Sequence, residues 1–198
     1  MTLFQKLTLL ASLTLITGYA SAQSNEKKNP DEDKMVAAWM AYMTPGERHK
    51  QLANDNGIWS AEVTMWMSPG ATPQTTKGTC ENTMILGGRY QQSVNRMNWN
   101  GMPFEGISTT GYDNALKKHI STWIDNFGTG IMYLEGTYDA KSNTINFSGK
   151  MVEPISGKSV PVRETMTFID DNNSVMEMFI TDNGKEYKSM NIKFTRNH

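Results

Sequence analysis

Two rhythms of apolar positions divide this chain. Met35, Val36, Trp39, Met40 and Met43 recur at helical spacing, with Asp33 placed to cap the segment. Thr44 and Pro45 end that helix, and Pro45, whose φ is preset for helix entry, opens a second one over 46–55. From Ile58 onward the helical period gives way to short alternating runs. Trp59, Ala61, Val63 and Met65 oppose Ser60, Glu62 and Thr64; Ile145, Phe147, Gly149 and Met151 oppose Asn146, Ser148 and Lys150. Each such strand offers one apolar face to an interior. Strands are predicted near 58–67, 75–86, 89–99, 102–111, 117–125, 131–138, 144–152, 159–169, 174–181 and 185–196.

The links between these runs are short. Gly87-Gly88, Asn100-Gly101 and Asn183-Gly184 are tight hairpin signals, because positive φ costs little at Gly and Asn, while 139–143, 153–158 and 170–173 are longer polar turns. About ten consecutive antiparallel strands make an up-and-down meander, and a meander of that length removes its exposed edges by closing into a barrel. The expected fold class is therefore mainly β: an antiparallel barrel of about ten strands preceded by one or two short α-helices. Such a barrel is wide enough to be filled by side chains or to hold one small ligand.

Ahead of these elements, Lys6 precedes an apolar run from Leu7 to Tyr19, and Ala20-Ser21-Ala22 supplies small residues for cleavage. Residues 1–22 are thus expected to be a signal peptide, and the protein to be exported, periplasmic or extracellular. QSNEKKNPDED over 23–33 is almost devoid of apolar groups and reads as a disordered linker; residues 34–198 read as a single barrel domain with N-terminal helices. No segment reaches the roughly 20 apolar residues that a transmembrane helix requires.

Charge and composition remove several function classes. Losing residues 1–22 takes away only Lys6, leaving 18 of 19 basic residues against 20 acidic ones, and this near-neutral balance gives no footprint for nucleic acid. Cys80 is the sole cysteine, so stability comes from a core and not from disulfides. Of the 15 methionines, the 11 from Met65 onward are scattered along strand faces; Met65 with Met67 and Met176 with Met178 show the two-residue spacing of a core face, not a copper site. The histidines after residue 22 are His49, His119 and His198, without HExxH or a Cys/His cluster, so neither a metal nor any other cofactor is expected. GxSxG and SxxK are absent. Gly157-Lys158-Ser159 mimics the end of a phosphate-binding loop, but it leads into a strand and lacks the motif's first glycine.

Candidate chemistry concentrates in GYDNALKKHISTWIDNFGTG, residues 111–130. Gly111 to Asn114 reads as a turn, 117–125 as a strand and 126–130 as a Gly-rich loop. On the strand, His119, Ser121, Trp123 and Asp125 share one face, against Lys118, Ile120, Thr122 and Ile124. If the first set points inward, Trp123 is a cavity wall with Asp125 at its rim; if not, Ile120 and Ile124 fill the core. The inward orientation is preferred. Trp123, Asp125, His119 and Tyr112 are therefore candidate ligand-binding residues, joined by Arg96 and Arg163 as guanidinium groups for an anionic head.

Two resemblances follow from longer stretches. Gly57-Ile58-Trp59 opening the first strand and Arg196 closing the last resemble the lipocalin and calycin arrangement, in which an Arg covers a Trp at the barrel base. Trp59 and Arg196 would then have a structural closing role. PGERHKQLANDNGIW at 45–59, MILGGRY at 84–90, GMPFEGISTTGYDN at 101–114, STWIDNFGTGI at 121–131, EGTYDA at 135–140, VRE at 162–164 and FTR at 194–196 together resemble the bacterial family named domain of unknown function 1579. That resemblance implies a lipocalin-like barrel and no established activity, so it carries over no catalytic residues.

Three functions stay open on these grounds. The leading one is binding of a small, largely apolar or amphipathic ligand inside the barrel. An enzyme would use Asp125 or Glu164 for acid–base chemistry, aided by Tyr112 or His119. A ligand-free periplasmic interaction or stress module is the third. Oligomeric state is not encoded in any local pattern.

Overall fold

The computed structural model describes residues 30–182 and 184–198. The expected signal peptide and the linker up to residue 29 lie outside the described residues. Helix α1 spans Pro30–Met43 and α2 spans Glu47–Asn54. The strands are β1 (Gly57–Met65), β2 (Gln74–Ile85), β3 (Tyr90–Trp99), β4 (Met102–Asp113), β5 (Lys118–Asp125), β6 (Met132–Asp139), β7 (Thr144–Glu153), β8 (Lys158–Asp170), β9 (Asn173–Asp182) and β10 (Lys185–Arg196). Residues from Ala37 onward form one compact unit. No described helix is long and apolar enough to cross a membrane.

All ten strands pair antiparallel with their neighbours in sequence, and β1 closes on β10 from Trp59↔Arg196 to Met65↔Met190. The architecture is a closed up-and-down barrel of ten strands. Its register places Trp59, Cys80, Asn95, Gly106 and Asp125 in one row facing inward, and His119, Gly136, Phe147, Glu164 and Met178 in another. At the β3–β4 hairpin, Asn100 and Gly101 take φ of 51° and 86°, the positive pair that a two-residue turn needs to match strand twist.

Three local readings change. Helix α1 begins at Pro30, inside the stretch read as linker, because Pro suits a first turn and Asp31, Glu32 and Asp33 favour the positive end of the helix dipole. Strand β4 continues through Tyr112 and Asp113, which pair with His119 and Lys118, so the turn lies at 114–117 and not at 111–114. Asp113 Oδ1 accepts the Ala115 and Leu116 amides at 2.8 Å each and holds that turn. Met67 does not extend a core face, since β1 ends at Met65 and Met67 is exposed.

Helix α2 closes one end. Leu52 is 3% exposed and packs with Leu134, Ile145, Phe147 and Val162, the buried core of the barrel. His49 accepts the Gly46 amide on Nδ1 at 3.0 Å, and Gln91 Nε2 donates to the Leu52 carbonyl at 2.6 Å, so polar groups of the barrel and helix anchor the plug. The other end, ringed by the β1–β2, β3–β4, β5–β6 and β7–β8 connections, is the mouth.

Candidate functional site

Strand β5 turns His119, Ser121, Trp123 and Asp125 inward, because each pairs with an inward residue of β4: Tyr112, Thr110, Ser108 and Gly106. His119 is fully buried, Ser121 is buried, and Trp123 and Asp125 are half-buried. Ile124, on the other face, is 45% exposed.

Near the mouth this face builds an aromatic wall. A Cβ at Gly106 would sit 2.3 Å from the Trp123 ring, so the missing side chain is what lets the indole lie flat against β4. Phe104 stacks on Trp123 at 6.3 Å between centroids, and Phe127 meets Phe104 edge-on at 5.0 Å. Trp123 Nε1 donates to Asp125 Oδ2 at 2.7 Å, while Asp125 Oδ1 accepts the amides of Phe127 and Gly128 at 2.9 Å each. Asp125 is thereby a positioning residue that fixes both the indole and the loop. Behind the wall lies a cavity of about 50 Å³ bordered by Ala61, Val63, Met97, Phe104, Trp123 and Met190.

The interior has two chemically distinct sides. From β2 to β5 it carries Asn82, Ser93, Asn95, Ser108, Thr110 and Ser121; from β6 to β10 it is mainly apolar, interrupted by Glu164 and Ser174, and rich in methionine, including Met132, Met166, Met176, Met178 and Met190. These methionines are half-buried despite facing inward, so the surface they expose is inside the barrel. Met132, Met166 and Met178 pack against the core around Leu134 and Phe147 while Met97 and Met190 border the cavity, so the interior is lined by polarizable, adaptable side chains.

Glu164, His119 and Ser174, all facing this interior, lack side-chain partners, Ser174 Oγ being buried on β9 beside Phe168 and Phe194. Glu164, between Phe147 and Met178 in the register, makes no hydrogen bond or ion pair with any described residue, and burial pushes its pKa up to about 7. His119 has neither Nδ1 nor Nε2 bonded, and its ring packs edge-on against Tyr112 at 5.0 Å and Phe147 at 6.4 Å. Burial first, then the charges of Arg48 and His49, drive its pKa down to about 4, so the imidazole is neutral near pH 7.

At the closed end, the Arg196 guanidinium lies 4.2 Å over the Trp59 ring and donates to the carbonyls of Asn54, Asn56 and Asp171. Trp59 Nε1 donates to the Asp55 carbonyl at 3.0 Å. Asn82 Nδ2 donates to Asp55 Oδ2 at 2.7 Å, and the Cys80 thiol donates to Asn82 Oδ1 at 3.2 Å. Burial raises Asp55 to about 7 against the opposing pull of Arg196 and Asn82, and burial with the Asp55 charge raises Cys80 to about 12. Such a thiol is a structural group, not a nucleophile.

The two guanidinium candidates stand elsewhere. Arg163 is on the outer face, held by Glu186 at 2.8 Å and stacked 3.8 Å over Phe179. Arg96 borders the cavity, but it pairs in register with Thr79 and Glu105 on the outer side, and its Nε donates to Glu105 at 2.7 Å. Neither brings a charge into the barrel, because alternation sends both side chains opposite to Asn95 and Glu164. The polar inner wall was not expected: Ser93, Asn95, Ser108 and Thr110 point inward against the rule that apolar residues mark the core face, and only the pairing register shows it. Among the described residues no group of three or more His, Cys, Asp or Glu could hold a metal ion.

Fold and site together define a closed antiparallel barrel with a helix plug, an internal cavity and an aromatic mouth. The chain belongs to the family described as a protein of unknown function, DUF1579, whose pattern matches residues 44–196. Among solved structures it is similar to Rv2717c from M. tuberculosis, at 12% identity and a TM-score of 0.59, over 78% of this chain and 100% of that one. A redesigned β-barrel matches at 11% identity and a TM-score of 0.39, over 74% of this chain and 95% of that one. No curated protein matches the chain.

Proposed function

We propose that this protein is a carrier that holds a small, largely apolar molecule inside its barrel. The observation that carries the reading is the apolar cavity behind Trp123, bordered by Met97 and Met190 and continued along the inner face by further half-buried methionines. A cavity of about 50 Å³ admits only a few heavy atoms as it stands. Methionine side chains, with three rotatable bonds, move aside at low cost, so a longer ligand enters by displacing Met97 and Met190. Acid–base catalysis is the weaker reading, since Asp125 is committed to Trp123 and its own loop and Glu164 has no partner acid or base in contact. The start of the sequence supports placing this carrier outside the cytoplasm.

Titration with 1-octanol tests the proposal, with the bound state read by the change in tryptophan fluorescence that a Trp123→Phe variant lacks. Saturable binding is expected in the native protein and loss of it in Met190→Trp, which fills the cavity. Absence of binding in the native protein, or unchanged binding in the filled variant, would sink the carrier.

A further inference from the structure

We propose that the ligand of this barrel is a lipophilic amine, whose ammonium group binds the carboxylate of Glu164. The inference rests on the carrier reading and names the chemistry of its ligand. Glu164 sits mid-way along β8 on the inward face, with Val162 and Met166 before and after it and Phe147 and Met178 beside it. All four neighbours are apolar, and no described residue bonds the carboxylate. A half-buried acid among apolar side chains is unfavourable in its charged form until something pairs with it.

The charges around the interior decide what that partner is. On the inward face, the lysines of β8 and β10 are Lys158 and Lys185, both at the first position of their strands and so at the rim. Arg196 is engaged over Trp59 at the base, and Arg48 of α2 lies 4.2 Å over the Tyr138 ring with its Nη1 bonded to Gln51. The remaining titratable groups facing this space include His119 on β5, Tyr112 on β4, Tyr138 on β6, Tyr187 on β10 opposite Ile180, Cys80 on β2, His49 on α2 and Asp125 near the mouth. None of them is a cation near pH 7, since burial lowers the pKa of both histidines. An anionic head group beside Glu164 would meet another acid among apolar side chains, away from Arg48, which is stacked on Tyr138 and bonded to Gln51. A neutral hydroxyl head group would supply one hydrogen bond and no counter-charge. An ammonium supplies the missing charge and up to three donors, and the methionine wall takes its apolar tail.

Isothermal titration of the signal-free protein with 1-octylamine, 1-octanol and octanoate separates these cases. The amine is expected to bind about tenfold or more tightly than the alcohol, as a charge-assisted hydrogen bond in a partly desolvated site provides, with octanoate weakest. In Glu164→Gln the amine's advantage disappears while octanol affinity holds. In Glu164→Asp, which keeps the charge, part of the advantage returns. Circular dichroism confirms that both variants fold. Octylamine affinity also rises between pH 5.5 and 8.5 as Glu164 deprotonates, and octanol affinity stays level. Equal or tighter binding of octanol or octanoate, or a preference that survives Glu164→Gln, overturns the amine and leaves the carrier standing. If none of the three probes binds, both readings fall.

Discussion

At the scale of single residues, Gly106 and Glu164 are the positions whose meaning depends most on their surroundings. Gly106 leaves room for the Trp123 ring, and a Cβ there would lie 2.3 Å from it. Gly106→Val should therefore displace the indole, shift its emission and destabilise the fold by roughly 1–3 kcal/mol in urea unfolding. Glu164 has its folded pKa raised from 4.5 to about 7. The folded state then binds more protons than the unfolded one between these values, so its contribution is most favourable below about pH 4.5 and is lost as pH rises through 7. Glu164→Gln removes that loss: the variant should match the native protein near pH 4.5 and exceed it near pH 8, by at most about 3 kcal/mol since Glu164 is only half-buried. Asp55 contributes with the same sign and His119 with the opposite one, but both persist in the variant and cancel in the comparison. Equal stability of the two proteins at pH 8 would refute an uncompensated acid in the interior. Trp123 and Asp125 were legible as a pair in sequence, since two-residue spacing on a strand fixes a common face. The isolation of Glu164 was not, because its neighbours Phe147 and Met178 are far from it in sequence.

At the scale of elements, α2 acts as a plug and not as an independent helix. Its eight residues are too few to be stable alone, and they are held by Leu52 in the core and by Gln91 on the Leu52 carbonyl. Leu52→Ala should cost about 2–4 kcal/mol in chemical denaturation and speed hydrogen exchange of the α2 amides ahead of the strands. Exchange that remains uniform across α2 and the barrel would show that the helix and barrel open only together. Hairpin positions were readable to within a few residues because Asn-Gly and Gly-Gly meet a specific φ requirement. The longer run of β4 was not readable: Tyr112 and Asp113 become strand by pairing with His119 and Lys118, whatever their own preference for turns.

At the scale of the whole molecule, closure between β1 and β10 removes the edges that a ten-stranded meander would otherwise expose. A chain ending at Ser189 would lose the seven pairs of that closure and leave β1 and β9 open, and size-exclusion chromatography should show it as soluble aggregate in place of the native species. Strand number, antiparallel order and the helical start were determined by the sequence alone, since periodicity and turn chemistry act over a few residues. The tertiary structure alone decided which charges are inside. Alternation says that Glu164 and Arg163 face opposite ways, but not which one faces in. That choice is made by the register of β8 against Phe147 and Met178, which sends Arg163 out to Glu186 and leaves Glu164 inside without a partner.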